Sequence, residues 1–156
     1  MIPARFEPVL QELSPLAERF RSAGHRLYVV GGTVRDLLLG DESFGVSDDI
    51  DLTTSARPDE IHACLDGWAD AVWNQGEKFG TVGARLGDRV LEITTFRAES
   101  YTDDSRKPHV VYADDVETDL SRRDFTVNAM ALELTNDVPT LVDPHNGAVD
   151  LLQRVL

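Results

Sequence analysis

Cysteine, long apolar runs and basic residues are all scarce in this chain of 156 residues. The single cysteine, Cys64, excludes an internal disulfide and is typical of a reducing compartment. Together with four scattered histidines it gives no zinc-ligand spacing. No apolar run approaches the roughly 20 residues that cross a bilayer, and the N-terminal sequence MIPARFEPVLQEL contains no hydrophobic signal segment. We therefore expect a cytoplasmic protein with no membrane partner.

The scarcity of positive charge limits how the chain can bind polyanions. Its 28 acidic and 15 basic residues give a net charge of -13, which argues against a broad basic face for nucleic acid. A local basic cluster, or a metal ion that holds an anionic substrate, is compatible with this charge. A well solvated acidic surface explains most of the carboxylates. With 42% hydrophobic residues, the chain is expected to fold as one domain over residues 1–156.

The spacing of apolar residues predicts an α/β domain. It predicts helices over residues 6–22, 33–39, 58–65, 117–125 and 148–156. It predicts strands over residues 27–30, 50–54, 69–73, 80–86, 89–96 and 141–142, with a hairpin turn at 87–88. Residues 129–134 fit either a strand or a continued helix. The polar stretch 99–115 has no periodicity, so we expect a mobile loop there.

The first pattern with chemical potential is Gly31-Gly32, which lies between a predicted strand and a predicted helix. Glycine allows the backbone to approach a ligand closely, and a helix N-terminus offers free amide groups to a phosphate. Arg35, one turn into the helix, could reach the same anion. On its own the pattern is weak, because a purely structural glycine turn is the more common explanation.

The second pattern is the acidic segment Ser47-Asp48-Asp49-Ile50-Asp51-Leu52. Because Ile50 and Leu52 belong in a core, Asp49 and Asp51 are expected to share the opposite face of the strand. Adjacent carboxylates repel unless a cation lies between them, and Mg²⁺ prefers such oxygen ligands. The alternative is an exposed acidic strand end. Asp48 is interpreted as a loop residue.

Two further patterns supply one more carboxylate and a basic cluster. Glu92 interrupts an apolar strand, so it needs a partner: either a salt bridge to Arg85 or Arg97, or a metal ion shared with the aspartate pair. Arginines suited to phosphates, with an Asp and an Asn at helical spacing, occur in the segment DLSRRDFTVNAM. That segment also fits a solvated helix face.

Four segments in order resemble a known family: VVGGTVRDLLLG, DDIDLTT, EITTFR and DLSRRDFTVNAMAL. Together they strongly resemble the head domain of class II tRNA nucleotidyltransferases, the CCA-adding enzymes and bacterial poly(A) polymerases of the DNA polymerase β-like superfamily. The resemblance covers about residues 25–156. It implies the nucleotidyltransferase fold, an α/β (α+β) domain with a small mixed β-sheet and helices packed on one side. The terminal LVDPHNGAVDLLQRVL resembles the segment that leads into the neck, so we expect the neck, body and tail to be absent.

The resemblance also implies roles for individual residues. It assigns metal binding and catalysis to the acidic residues Asp49, Asp51 and Glu92, the first two as ligands of two expected Mg²⁺ ions. It assigns contacts with the incoming nucleotide to Gly31, Gly32, Arg35, Asp36, Arg122, Arg123, Asp124 and Asn128. It places Arg106 and Pro108 in a mobile loop. The connection from Asp41 to Asp48 is longer than the family leads us to expect.

The implied function is transfer of CMP and AMP from CTP and ATP to the 3′ end of tRNA, with pyrophosphate as the leaving group. The tRNA itself would be held mainly by the neck, body and tail. A poly(A) polymerase, or a relative that adds only CC or only A, fits the head motifs equally well. A non-catalytic nucleotide-binding subunit is a third possibility, against which the intact carboxylates argue.

Overall fold

The structure is a computed structural model that describes residues 6–39, 49–75, 80–102, 108–123 and 126–153. Its order of helices and strands is the predicted α/β order except for two additional strands between residues 97 and 112. The helices are α1 (Glu7–Ser22), α2 (Gly32–Leu39), α3 (Pro58–Leu65), α4 (Val116–Ser121) and α5 (Gly147–Gln153), with a 3₁₀ helix at Thr126–Asn128. Within this part of the chain, each helix is too short or too polar to cross a membrane.

Seven of the described strands form one mixed sheet. The strands are β1 (Leu27–Val30), β2 (Ile50–Thr54), β3 (Ala71–Asn74), β4 (Thr81–Leu86), β5 (Arg89–Thr95), β6 (Arg97–Thr102), β7 (Pro108–Tyr112), β8 (Ala131–Glu133) and β9 (Thr140–Val142). The order across the sheet is β3-β4-β5-β2-β1-β8-β9. Strands β2 and β5 run parallel, and the other neighbouring pairs are antiparallel. The central parallel pair brings two acidic segments together.

The main hydrophobic core fills one face of the sheet, which we call the covered face. Its alternate strand residues are fully or almost fully buried, namely Leu27, Val29, Ile50, Leu52, Leu91 and Ile93. Helices α1, α2 and α3 pack on them with Leu13, Leu16, Phe20, Val34, Ile61 and Leu65. Because strand side chains alternate, the residues between these point to the other face. The helices implied for one side of the sheet are confirmed for α1 to α3.

The opposite face, which we call the open face, carries Tyr28, Val30, Asp51 and Glu92. Helix α4 packs on the Tyr28 and Val30 end of it, in a second apolar cluster with Phe96 and Leu120. Burial raises the pKa of the Tyr28 phenol, and its hydrogen bond to Glu133 adds to this effect. The acidic part of the open face thus lies beside a small core that contains α4.

The expectation of a mobile loop over residues 99–115 is wrong for most of its length. Strands β6 and β7 pair antiparallel in a separate two-stranded sheet, with a register shift between Arg97 and Glu99. This pair forms no strand of the main sheet, and Val111 is 48% exposed, so the segment lacks the alternation that marks a half-buried strand. Arg106 lies outside the described residues.

Other boundaries differ slightly from the predicted ones. The helix expected over 117–125 runs from Val116 to Ser121. It begins at Val116 because Asp115 caps it: the Thr118 amide donates to Asp115 Oδ1 at 2.7 Å. The ambiguous stretch 129–134 contains strand β8. The long connection from Asp41 to Asp48 lies outside the described residues.

Candidate active site

The central strands bring two carboxylates side by side on the open face. Asp51 of β2 and Glu92 of β5 are register partners in the parallel pair. Ile50 and Leu52, 0% and 1% exposed, hold β2 in the core, so Asp51 points outward and is exposed. Asp49 is exposed directly before the strand. The prediction from strand alternation that Asp51 points away from the core is confirmed. Of the partners considered for Glu92, the aspartate pair is represented by Asp51 on the neighbouring strand.

Glycines allow the backbone at the start of α2 to lie against basic side chains. Gly31 has a φ of +69°, a left-handed conformation that favours glycine, and α2 begins at Gly32. A Cβ at Gly32 would lie 3.2 Å from Arg35 Nη2, and one at Gly31 would lie 3.9 Å from Arg123 Nη1. The N-terminal amides of α2 and the two guanidinium groups therefore surround one small region.

Arg35 is held by two side chains that the resemblance assigns to nucleotide binding. Its Nε donates to Asp36 Oδ1 at 3.1 Å, and its Nη1 donates to Asn128 Oδ1 at 3.1 Å. Asp36 and Asn128 thus orient Arg35, whose side chain is 37% exposed. Asn128 ends the 3₁₀ helix, and α5 begins against that helix: a Cβ at Gly147 would collide with the Thr126 carbonyl oxygen.

A buried carboxylate that the sequence does not single out organises the basic cluster. Asp119 is 0% exposed and accepts hydrogen bonds from Arg122 Nε at 3.4 Å and from Arg123 Nη2 at 3.1 Å. It also accepts from the Arg97 backbone amide at 2.8 Å. The signal in the sequence is its spacing, three and four residues before the two arginines. Asp124 lies outside the described residues.

Arg97 joins this cluster as a third guanidinium. Its Nη2 donates to Thr81 Oγ1 at 3.0 Å, whereas its Nε is buried with no hydrogen-bond partner among the described residues. The Nε of Arg123 is also buried with no hydrogen-bond partner among the described residues. Burial lowers the pKa of Arg97, and the nearby Arg122 adds to this effect. Sequence reasoning considered Arg97 only as a salt-bridge partner of Glu92; its convergence with the other arginines requires the folded chain.

One pocket of about 170 Å³ joins the carboxylates to the arginines. Its lining consists of Val30, Asp51, Leu52, Thr81, Glu92, Thr94, Arg97, Arg122 and Arg123. A polyanion with a bound cation complements such a pocket, because the arginines face its negative charge and the carboxylates face the cation.

The carboxylates fit a partial magnesium shell. Among the described residues, no group of three or more His, Cys, Asp or Glu side chains is arranged to enclose a metal ion. Mg²⁺ does not need such a cage, since it keeps several waters and uses one or two carboxylates together with substrate phosphates. Glu92 Oε1 accepts from Gln75 Nε2 at 3.2 Å, a contact that orients the third carboxylate. The donor set therefore fits Mg²⁺ bound together with a phosphate ligand.

The chain is similar in sequence to known proteins over nearly its whole length. A family model described as the Poly A polymerase head domain matches residues 27–156. The CCA-adding enzyme of Lactobacillus helveticus (strain DPC 4571) is 40% identical over 143 residues, which are 91% of this chain and 33% of that enzyme. The CCA-adding enzyme of Staphylococcus aureus (strain MRSA252) is 36% identical over 149 residues, 95% of this chain and 34% of that enzyme.

Solved structures agree in fold. A CCA-adding enzyme in apo form II matches 94% of this chain and 34% of its own, with a TM-score of 0.78 and 31% identity. The Bacillus stearothermophilus CCA-adding enzyme in complex with CTP matches 97% of this chain and 33% of its own, with a TM-score of 0.70 and 34% identity. A tRNA nucleotidyltransferase with a primer tRNA and an incoming ATP analog matches 88% of this chain and 36% of its own, with a TM-score of 0.69 and 34% identity.

These matches cover nearly all of this chain but only part of each relative. The chain spans about a third of the length of the curated relatives that it matches. The fold is that of the nucleotidyltransferases, and the family model covers the glycine turn, the carboxylate strands and the arginine segment alike. The chain therefore belongs to the Poly A polymerase head domain family.

Proposed function

We propose that this chain is the catalytic head of a template-independent RNA nucleotidyltransferase that adds CMP and AMP from CTP and ATP to the 3′ end of tRNA. The observation that carries the proposal is the single pocket in which Asp51 and Glu92 face Arg97, Arg122 and Arg123. The names of the similar proteins, CCA-adding enzymes, support the same activity. The lone Cys64 is consistent with the cytoplasm, where we place the enzyme.

The basic side of the pocket binds the triphosphate. The α2 amides at Gly31 and Gly32 and the guanidinium of Arg35 contact phosphate oxygens on one side, while Arg122 and Arg123 contact them on the other. Arg97, which lines the same pocket, completes the set. These contacts hold the α-phosphate in place and neutralise the negative charge that gathers on the departing pyrophosphate.

The acidic side of the pocket holds the cations and the attacking group. Asp49 and Asp51 supply the oxygen ligands for Mg²⁺, of which we expect two ions. When bound, Mg²⁺ lowers the pKa of the primer 3′-hydroxyl and neutralises phosphate charge. The primer 3′-hydroxyl gives its proton to Glu92 or to a water held by the carboxylates, its oxygen forms a bond to the α-phosphorus, and the bond from that phosphorus to the bridging oxygen of pyrophosphate breaks. Glu92, oriented by Gln75, lies next to Asp51 on the side away from β1.

The pocket residues recognise phosphates and metal, which all four nucleotides share. The choice of CCA addition over CC, A or poly(A) addition therefore follows from the similarity to CCA-adding enzymes and not from the pocket itself. The net charge of -13 also opposes tRNA binding by this head alone, so we assign most tRNA contacts to segments like those in the rest of the relatives. A non-catalytic nucleotide-binding subunit would not need Asp51 and Glu92 in register.

The test is nucleotide binding and pyrophosphate release by the 156-residue chain, with tRNA that ends before, within or after CCA. We expect CTP and ATP to bind only with Mg²⁺, with affinities within about tenfold of each other. Asp49→Asn should abolish this Mg²⁺-dependent binding, because a metal ligand is lost. The matched control is Asp59→Asn, an exposed aspartate on α3 beneath the covered face. Binding that ignores Mg²⁺, or that survives Asp49→Asn unchanged, would refute the proposal.

The role of Arg35 can be tested separately. Arg35→Ala should weaken binding of a nucleoside triphosphate by about tenfold or more, and should leave nucleoside binding nearly unchanged, because a charge-assisted hydrogen bond to phosphate is lost. Isothermal titration with CTP and with cytidine measures both. Equal losses for the two ligands would assign Arg35 to packing against Asp36 and Asn128 instead.

A further inference from the structure

A tryptophan stands in the same row of the open face as the carboxylates. Trp73 of β3 is the register partner of Gly83 of β4, Gly83 is the partner of Glu92, and Glu92 is the partner of Asp51. Register partners on adjacent strands point to the same face. The row therefore runs from the indole across Gly83 to the carboxylate pair, which separates Trp73 from the triphosphate-binding side at β1.

The indole is seated directly on Gly83. A Cβ at Gly83 would overlap the Trp73 indole at Cε2 and Nε1, so only glycine leaves room for the ring. Trp73 is partly exposed and is a member of neither apolar cluster. Trp68, the other tryptophan of the chain, packs instead against the main core on the covered face. Trp73 is therefore a large aromatic ring on the open face that lies outside both apolar clusters, and its exposed part can contact a ligand.

The geometry of the transfer places the primer on this side of the carboxylates. The triphosphate lies toward Gly31, Gly32 and Arg123, at the β1 end of the row. Arg97 lies nearer β4, where it donates to Thr81, two residues along that strand from Gly83. An in-line attack requires the primer 3′-oxygen to approach from the opposite side of the α-phosphate. Strands are about 4.8 Å apart, so Trp73 lies roughly 10 Å from Glu92 along the row, within the reach of one nucleotide.

We propose that Trp73, seated on Gly83, is the stacking platform for the terminal base of the RNA primer. The inference rests on the proposed function, because it takes Asp51 and Glu92 as the place of transfer. Stacking tolerates every base, since each base has a π-face. That tolerance suits a primer whose last base changes after each addition. Trp73 thereby binds the growing end without reading it, and holds the 3′-hydroxyl beside Glu92.

Fluorescence tests the contact directly, because the chain has two tryptophans. Trp68→Phe leaves Trp73 as the single reporter and leaves the open face unchanged. At an ionic strength that screens the net charge of -13, a short RNA acceptor stem that ends before CCA should quench this fluorescence in a saturable way, whereas CTP with Mg²⁺ should not. Quenching by CTP with Mg²⁺ but not by RNA would assign the ring to the incoming base. No quenching by either ligand would also overturn the proposal.

Affinity measurements supply the second test. Trp73→Ala should raise the Kd for the RNA stem by about tenfold or more, and Trp73→Phe, which keeps a stacking ring, by less than about threefold. Gly83→Ala should resemble Trp73→Ala, because the new methyl group displaces the indole. The Kd for CTP with Mg²⁺ should stay within about twofold in all three variants.

The failure of this inference can be told apart from that of the proposed function. If CTP binds with Mg²⁺ and Asp49→Asn abolishes it while Trp73→Ala leaves RNA affinity unchanged, the platform is wrong and the function stands. If Trp73→Ala raises the Kd for CTP and the Kd for RNA equally, the assignment of Trp73 as the stacking platform is also wrong. Urea unfolding of each variant gives its folded fraction, and the Trp68→Phe titration does not depend on whether Trp73→Ala folds.

Discussion

The two faces of the sheet are built from the same strands but differ in role: the covered face packs against helices, and the open face carries the candidate site. On β2, Ile50 and Leu52 enter the dry core beneath α1 to α3, while Asp51 between them faces the pocket. On β5, Leu91 and Ile93 are fully buried, and Glu92 between them stands beside Asp51. Side-chain alternation thus makes each central strand a support on one side and a binding surface on the other. Substitutions at neighbouring residues should therefore separate activity from stability.

Asp51→Ala should produce the largest effect, and on activity alone. We expect nucleotide transfer to fall by at least about a thousandfold, because the loss of a metal ligand removes several kcal/mol of transition-state stabilisation. The free energy of unfolding should change by no more than about 1 kcal/mol, because Asp51 is exposed. Pyrophosphate release and urea unfolding measure the two quantities. A variant with near-normal turnover at saturating Mg²⁺ would contradict the assignment.

Ile50→Ala, one residue earlier, should give the reverse result. Ile50 is 0% exposed on the covered face, so truncation creates a cavity in the main core and should lower the free energy of unfolding by about 2–5 kcal/mol. Metal-dependent CTP binding by the fraction that stays folded should be nearly normal. The contrast between the two faces fails if Ile50→Ala loses CTP affinity while its stability is unchanged.

Asp119→Asn should affect both properties, because Asp119 links the small core around α4 to the pocket. The amide keeps one acceptor oxygen for the Arg97 backbone but loses the negative charge that pairs with Arg122 and Arg123. Since hydrogen bonds to charged groups contribute about 1.5–3 kcal/mol, we expect a loss of that order in stability. The KM for nucleotide should rise as the guanidinium groups lose their orientation.

The matched control for Asp119→Asn is Glu117→Gln, on the same helix but exposed. Its free energy of unfolding and its KM for nucleotide should both stay close to those of the parent chain. If Asp119→Asn were to leave the KM within about twofold, the carboxylate would have a purely structural role.

Asp115→Ala should have the smallest effect, and one that depends on pH. The hydrogen bond from Thr118 holds the pKa of Asp115 below its ordinary value of 3.8. The capped helix is therefore stabilised fully above that value, by about 1 kcal/mol, and the stabilisation disappears as the pH falls through the lower folded pKa. The difference in stability between parent and variant should be present at pH 7 and shrink near pH 3. A constant difference would mean that the carboxylate charge does not act as the cap.

The covered face was readable from the sequence, and the open face only in part. Apolar periodicity predicted β1, β2, α1 and α3 because burial on one face imposes a repeat on the residues. The same repeat correctly turned Asp51 away from the core. The β6–β7 pair was missed because it forms its own two-stranded sheet, outside the larger one, and shows no such repeat.

The roles of residues that depend on strand register or on tertiary contacts could not be predicted from the sequence. Asp119 reads as one more acidic residue until the fold buries it under two arginines. Arg97 reads as an ion-pair partner until its neighbours are known. Trp73 and Gly83 are ten residues apart, and nothing in their local patterns shows that one is seated on the other. Such pairings arise from how strands align, which a single chain's hydrophobic pattern constrains only loosely.

The close approach at Gly147 has a mechanical consequence. With no room for a side chain, the first turn of α5 is wedged against the Thr126 carbonyl, and Thr126 also donates its hydroxyl to Asp150 on the same helix. Asn128, two residues after Thr126, accepts a hydrogen bond from Arg35. Helix α5, the 3₁₀ helix and the Arg35 guanidinium are thus connected by direct contacts. We therefore expect a change in the tilt of α5 to move Arg35, and with it the triphosphate contact that we propose for this residue.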